Sequence, residues 1–250
     1  MAVLRHVDFE VSNWAELGGA PVERLGYAER VLSLGPSGYW RLGDAGSSAM
    51  DMSGAAAGAV IGGVTTGVSG CLESESDSAM GFAGVNQMVD VGRAVLPSDS
   101  SAVSIGVWIR TTASTTGAMF SQYVNTGTPG ASERFGLRLI TGGYPAWWKG
   151  GTVRAQGSQS LLDGVWHFVV GERLSTGVIK LWVDGVLVDS GSDSQGFASA
   201  NSAIAAFPAV SYLTADLDEV MVVPAELGGS AIRDLYDWAM GIPKVTGGGL

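Results

Sequence analysis

Carboxylates two residues apart are the side chains in this sequence with the most direct route to chemistry. Glu73-Ser74-Glu75-Ser76-Asp77 carries three at that spacing, and Asp216-Leu217-Asp218 carries two. Residues i and i+2 of a strand share a face, and a carboxyl pair about 5 to 5.5 Å apart supports retaining cleavage of a glycosidic bond. A strand holding such a pair needs apolar residues between the acids to anchor its other face. Serines stand there in the first run, so it is expected to be a solvated acidic edge, and no catalytic residue is assigned. His6 and His167 are the two histidines and Cys71 the single cysteine, too few for a zinc site or an internal disulfide. No nucleophile elbow or phosphate-binding loop is present.

Aromatic and basic side chains form a second candidate set. Trp147 and Trp148 are adjacent, so in extended backbone they point to opposite faces, and at most one belongs to a core. Tyr144 and Lys149 lie beside them in a turn-rich stretch read as a loop. Trp108 and Arg138 fall on the less apolar faces of their strands.

A β framework must position all of these residues. Its clearest piece is 161–189, where 165–170 and 178–183 are apolar strands and Asp184-Gly185 stands between Val183 and Val186. That dipeptide predicts a type I′ turn, whose two central residues need positive φ. The two-residue loop pairs Val183 with Val186, Trp182 with Leu187, Leu181 with Val188 and Lys180 with Asp189, setting opposite charges across the ladder. His167, between Trp166 and Phe168, is assigned a structural role. Further strands are predicted at 39–42, 79–84, 87–91, 103–110, 117–124, 134–140 and 217–223. Along 103–110, Val103, Ile105, Val107 and Ile109 share one face, opposite Ser104, Gly106, Trp108 and Arg110. Helices are expected at 27–34 and after an N-cap at Ser230, the second ending at Gly241. Residues 1–26 are read as an arm carrying a strand at 6–11 and a hinge at Gly18-Gly19.

Composition agrees. Glycine makes up 38 of 250 residues, about twice ordinary usage, as many turns between short strands require. A net charge of −10 argues against nucleic acid and anionic membrane surfaces, which need basic patches. No run is long enough for membrane insertion, and the N-terminus lacks the apolar core of a signal peptide. The expectation is synthesis in a reducing compartment.

The stretch DGVWHFVV at 163–170, followed by IKLWVDGVLV at 179–188, resembles the central strands of laminin-G-like jelly rolls in the concanavalin A-like lectin/glucanase superfamily. Tyr39-Trp40-Arg41-Leu42-Gly43-Asp44, with Asp51-Met52-Ser53-Gly54, resembles the opening of that family. Asp216-Leu217-Asp218-Glu219-Val220 resembles its closing strand. The resemblance spans roughly 27–241 in the right order. It implies an all-β, two-sheet antiparallel jelly-roll sandwich over 27–242, with the N-terminal arm before it, a short C-terminal helix and a flexible tail at 243–250.

The resemblance also carries functional expectations. Enzymes of the superfamily use carboxylates two apart on one strand, whereas Asp216 and Asp218 match non-enzymatic relatives, with Asp218 bonded to a neighbouring loop. Jelly rolls of this type imply a structural calcium ion, for which Asp44, Asp51 and Asp216 are the carboxylates. Lectin-like folds stack sugars on aromatic rings, which makes Tyr144, Trp147, Trp148, Trp108 and Arg138 the carbohydrate-binding candidates. The alternative for these rings is packing under loops or against another subunit. An exterior-type fold without an export signal suits a phage virion protein of the tail or capsid surface, released by lysis. Its expected partners are other virion proteins or copies of itself through the arm, and a host glycan. A carbohydrate-binding module of a cellular protein and a glycoside hydrolase are the alternatives.

Overall fold

The computed structural model describes residues 25–242 apart from positions 56, 73–74, 115, 124–134 and 198. The strand expected at 6–11 and the tail at 243–250 lie outside the described residues. Helix α1 (Tyr27–Ser33) comes first, followed by β1 (Gly38–Trp40), β2 (Ser48–Ala49), β3 (Gly58–Ile61), β4 (Thr65–Ser69), β5 (Ser78–Ala83) and β6 (Met88–Asp90). Next are β7 (Val103–Arg110), β8 (Gly117–Tyr123), β9 (Phe135–Ile140), β10 (Tyr144–Lys149), β11 (Thr152–Gln156) and β12 (His167–Arg173). The chain closes with β13 (Val178–Val183), β14 (Val186–Ser192), β15 (Asn201–Ile204), β16 (Ala206–Phe207), β17 (Ser211–Tyr212), β18 (Thr214–Val223) and α2 (Gly228–Ala239).

These strands make the two-sheet antiparallel sandwich that the sequence predicts. The first sheet runs β14-β13-β12-β7-β18-β5-β4, with β1 also on β18, and the second runs β11-β10-β9-β8-β15-β6-β3-β2. Between them lies a core that takes one face of each strand, including Val103, Ile105, Val107, Ile109, Phe135, Leu137, Trp147 and Leu217. The other face of the first sheet is apolar too. Trp108, Phe168, Val170 and Met221 pack there beneath Tyr27 and Val31 of α1 and Ile232, Leu235 and Ala239 of α2. The first sheet is therefore buried on both sides, which is why β7 alternates between two apolar faces instead of an apolar and a wet one.

Two local expectations are corrected by tertiary contacts. Helix α2 starts at Gly228, so Ser230 lies inside its first turn and is not the cap. The exposed donors at the helix start are met from a distance: Glu172 Oε1 on β12 accepts from Leu227 N and Gly228 N, each at 2.9 Å. In the hairpin, Asp184 (φ 52°) and Gly185 (φ 75°) are both left-handed, as a type I′ turn requires. The pairs Val183–Val186 and Trp182–Leu187 form, and then a bulge shifts the register so that Leu181 faces Asp189 and Lys180 faces Ser190. The bulge bends β14 toward the other sheet. There Asp189 Oδ2 accepts from Gln156 N on β11 at 2.8 Å, and Lys180 pairs with Glu226 instead, at 2.8 Å.

The turn is fastened to β12 through Asp184, whose Oδ1 accepts from Phe168 N at 2.9 Å and whose Oδ2 meets His167 Nδ1 at 2.8 Å. Asp163 holds the other ring nitrogen at 3.1 Å. The hydrogen bond to Asp184 raises the His167 pKa above the ordinary histidine value, against the opposing effect of burial. A raised folded pKa gives stability that is complete below the unfolded value of about 6.5 and is lost as pH rises through the folded value. Wild type should therefore melt roughly 2 to 4 °C above His167→Gln near about pH 6, equivalent to about 1 kcal/mol. That gap should shrink steadily toward about pH 9. A gap independent of pH in melting curves would show that His167 contributes only packing.

Candidate functional site

Among the described residues, the outer face of the second sheet carries no helix. Its register places Trp148 of β10 opposite Gly136 of β9, and Ala146 opposite Arg138, so Arg138 and Trp148 are diagonal neighbours on one face. Tyr144, four residues before Trp148, shares that face. The small β16–β17 hairpin folds down over it, tied by Ser121 Oγ donating to the Ala206 carbonyl at 2.6 Å. Gly136 allows this approach, because a Cβ there would lie 2.6 Å from the Phe207 ring. Phe207 meets Trp148 edge to face at 5.4 Å, and the Arg138 guanidinium sits 5.5 Å from the Trp148 ring and 5.7 Å from the Phe207 ring. Burial lowers the Arg138 pKa, yet no carboxylate among the described residues forms an ion pair with it. Tyr123 and Asp90, joined by a 2.7 Å hydrogen bond, continue the same face on β8 and β6. Aromatic rings beside a cation and hydrogen-bonding groups are the parts that hold a sugar ring and its substituents.

A second cluster lies where β18 changes partner. Its first half pairs with β5 and its second half with β1, and between them a bulge puts Glu219 in the left-handed region at φ 49°. The bulge turns Asp218 and Glu219, both fully buried, toward the gap between β1 and β5. Asp77, Asp218 and Glu219 bring carboxylate oxygens within 4.8 Å of one another. Arg41, just after β1, pairs with two of them and with Glu75: Nε donates to Glu219 at 2.9 Å, and Nη2 reaches Glu75 and Asp77, each at 2.7 Å. Tyr39 donates its hydroxyl hydrogen to the other Glu219 oxygen. Asp218 accepts from Cys71 N at 2.8 Å and from Glu219 N at 2.9 Å. Burial pushes the Asp218 pKa up to about 7 and raises that of Glu219 as well, with Asp218 adding to the effect on Glu219. The described carboxylates of the Glu73–Asp77 run are thus not a solvated edge but one wall of an ion-pair network. Glu75, Asp77 and Glu219 are each paired with Arg41, and Asp218 is held by backbone donors.

The three expected calcium carboxylates sit in separate sets of contacts. Asp44 accepts from Met50 N, Asp51 from Tyr39 N and Ser53 while pairing with Arg93, and Asp216 pairs with Arg110. Each of the three is held by its own neighbours.

Of the five carbohydrate candidates, the structure brings Arg138 and Trp148 together, sets Tyr144 on the same face and separates the other two. Their stretch is strand β10, not a loop. Trp147 is enclosed in the core, 4.5 Å from the Phe135 ring. Trp108 is enclosed on the far side of the first sheet, stacked on Phe168 at 5.1 Å and donating Nε1–H to the Tyr27 hydroxyl at 2.9 Å. Phe207 was missed, because nothing local in its sequence shows that a two-strand flap will carry it onto β9 and β10. The Arg41 cluster had a signal: consecutive acids inside the apolar run 215–223 break the two-residue alternation, as a bulge does. A cleft of about 530 Å³ beside α2, lined by Arg110, Trp166, His167, Asp184, Tyr236 and Met240, offers no spare charge. Its Arg110 is paired with Asp216 and its His167 with Asp184.

Sandwich and site define a lectin-like β-sheet domain. The chain belongs to the concanavalin A-like lectin/glucanases superfamily, whose laminin G profile matches residues 83–233. No curated protein matches the sequence significantly. Among solved structures, domain 4 of the extracellular GH43 arabinanase AbnA from Geobacillus stearothermophilus, in complex with arabinotriose, aligns with a TM-score of 0.65 at 18% identity, covering 80% of this chain and 98% of that one. The receptor-binding domain of botulinum neurotoxin D aligns at 0.59 and 13%, covering 82% of this chain and 53% of the other. A Trypanosoma rangeli sialidase in complex with sialic acid aligns at 0.58 and 14%, covering 80% and 32%. The chain thus spans about half of the toxin domain and a third of the sialidase. At these identities the likeness is one of fold.

The two adjacent tryptophans should respond differently to truncation. Trp147→Ala empties a packed core site and should cost about 3 to 5 kcal/mol. Trp148→Ala, on the half-covered outer face, should cost about 1 to 2 kcal/mol. Urea denaturation of both variants checks this, and equal losses would mean that Trp148 is as much a core residue as Trp147.

Proposed function

We propose that this chain is a non-enzymatic glycan-binding domain carried by a phage virion protein of the tail or capsid surface, with the outer face of the second sheet as its binding surface. The observation that carries the glycan reading is Arg138 and Trp148 under Phe207, with Tyr144 further along the same face, an aromatic and cationic platform on a broad sheet face that no helix covers among the described residues. The saturated state of the Arg41 cluster supports a binding role over hydrolysis. The virion setting rests on the pairing of an exterior-type fold with a single cysteine, Cys71, and on an arm at 1–26 suited to assembly. A second reading has its own support. The arabinanase domain aligned over 98% of its length is part of an extracellular enzyme and was solved with arabinotriose, so a carbohydrate-binding module of a cellular protein is the alternative.

A glycan array probed with the full chain should show binding that Trp148→Ala weakens about tenfold, the equivalent of about 1.4 kcal/mol. Mixed polysaccharides incubated with the protein should yield no new reducing ends. Cleavage that vanished with Glu75→Gln would replace the binding reading with an enzyme.

The assembly part is tested separately. Deleting residues 1–20 should leave the melting curve of the sandwich in place while abolishing co-sedimentation with its assembly. A truncated chain that still assembles normally removes the arm from the proposal, and one that unfolds makes the arm part of its own domain.

A further inference from the structure

Arg138 has an environment that stability alone does not account for. Its side chain is half-buried among Trp148, Phe207 and the strands beneath them, and burial works against its charge. Aromatic faces recover part of that cost, but a cation taken from water is normally matched by a carboxylate. Four other arginines have that match, Arg41 with Glu75, Asp77 and Glu219, Arg93 with Asp51, Arg110 with Asp216 and Arg233 with Asp237, and the enclosed Arg173 has its Nη groups taken by the Ser100, Leu174 and Asp193 carbonyls instead. Arg138 has only a long contact from Nε to the Leu139 carbonyl at 3.5 Å. Its Nη groups donate to no described residue, in a chain with 24 acidic residues to draw on. They form a planar fork of donors, fitted to two oxygens of one anionic group.

Resting on the glycan-binding reading above, we infer that the sugar taken by this face is acidic, with the Arg138 guanidinium receiving its carboxylate or sulfate while Trp148 carries the ring. The net charge of −10 means that no general field draws an anion here. Preference for acidic glycans therefore depends on this one local group.

The test compares oligosaccharides matched in backbone. Galacturonan oligomers are set against their methyl esters, sialyllactose against lactose, and sulfated carrageenan oligomers against their desulfated, uncharged counterparts, each titrated into the full chain by calorimetry. The acidic member of at least one pair should bind about tenfold or more tightly. Arg138→Gln should erase that preference, bringing the acidic and neutral partners to equal affinity, Arg138→Lys should keep part of it, and Arg233→Gln on the helical side should change nothing. Melting curves confirm that each variant folds. The pair that responds separates carboxylate from sulfate. Equal binding of acidic and neutral partners, or a preference that survives Arg138→Gln, overturns this inference but leaves the glycan reading standing. Failure of every oligosaccharide to bind overturns both.

Discussion

Burial of the first sheet on both faces is the constraint from which the rest of the arrangement follows. Strand β7 sets Ile105, Val107 and Ile109 into the sandwich and Trp108 into a second core, and that second core must be closed by something apolar. Helices α1 and α2 close it, and the closure is made specific by polar contacts that pin each helix start. Trp108 Nε1–H is satisfied by the Tyr27 hydroxyl of α1 at 2.9 Å. Glu172, buried between β7 and β13, is satisfied by Leu227 N, Gly228 N, Ser104 Oγ and, at 2.7 Å, Trp182 Nε1. Truncating either partner would leave a buried polar group unmet, which costs about 1 to 3 kcal/mol. With that side sealed, the outside of the second sheet is the broad face that no helix covers among the described residues.

Closing the first sheet creates a difficulty at β18, the strand that must pair with β7 along one edge and with two separate strands along the other. Where β5 ends and β1 begins, the ladder has a gap. The bulge at Asp218–Glu219 fills it with carboxylates in place of backbone pairing. Carboxylates buried there need a cation and donors, and Arg41, Tyr39 and Cys71 N supply them from the segments flanking the gap. The cluster therefore has a structural cause. Its raised carboxylate pKa values follow from burial and mutual repulsion, so they are no sign of tuning for proton transfer.

The sandwich was legible in the sequence because period-two alternation and turn residues are local. Val103 to Arg110 reads as a strand at both ends, and Asp184-Gly185 as a left-handed turn, from those residues alone. What was not legible depended on partners distant in the chain. The Lys180–Asp189 pair looked complementary in a regular hairpin, but the bulge serves a contact with β11 that no hairpin-level pattern contains. Ser230 had the chemistry of a cap, yet Glu172, more than fifty residues earlier, caps the helix. Trp108 followed Ser104 and Gly106 on a face that looked half polar. The small residues there in fact make room: a Cβ at Gly106 would lie 2.5 Å from Met221 in the second core. Small residues in a strand thus carry two opposite meanings, an exposed face or a tightly covered one, and only the packing decides between them.

The same ambiguity applies to arginine, and it separates the two candidate sites. Arg41 and Arg138 both lie in or beside strands, and both are partly buried. Around Arg41 three carboxylates converge, so its charge is spent within the fold and the cluster has little left to offer a ligand. Around Arg138 the neighbours are rings, which stabilise a cation without neutralising it or occupying its Nη donors. A guanidinium matched by acids completes a structure. One matched, among the described residues, only by π faces leaves its Nη donors outside the ion pairs of the fold.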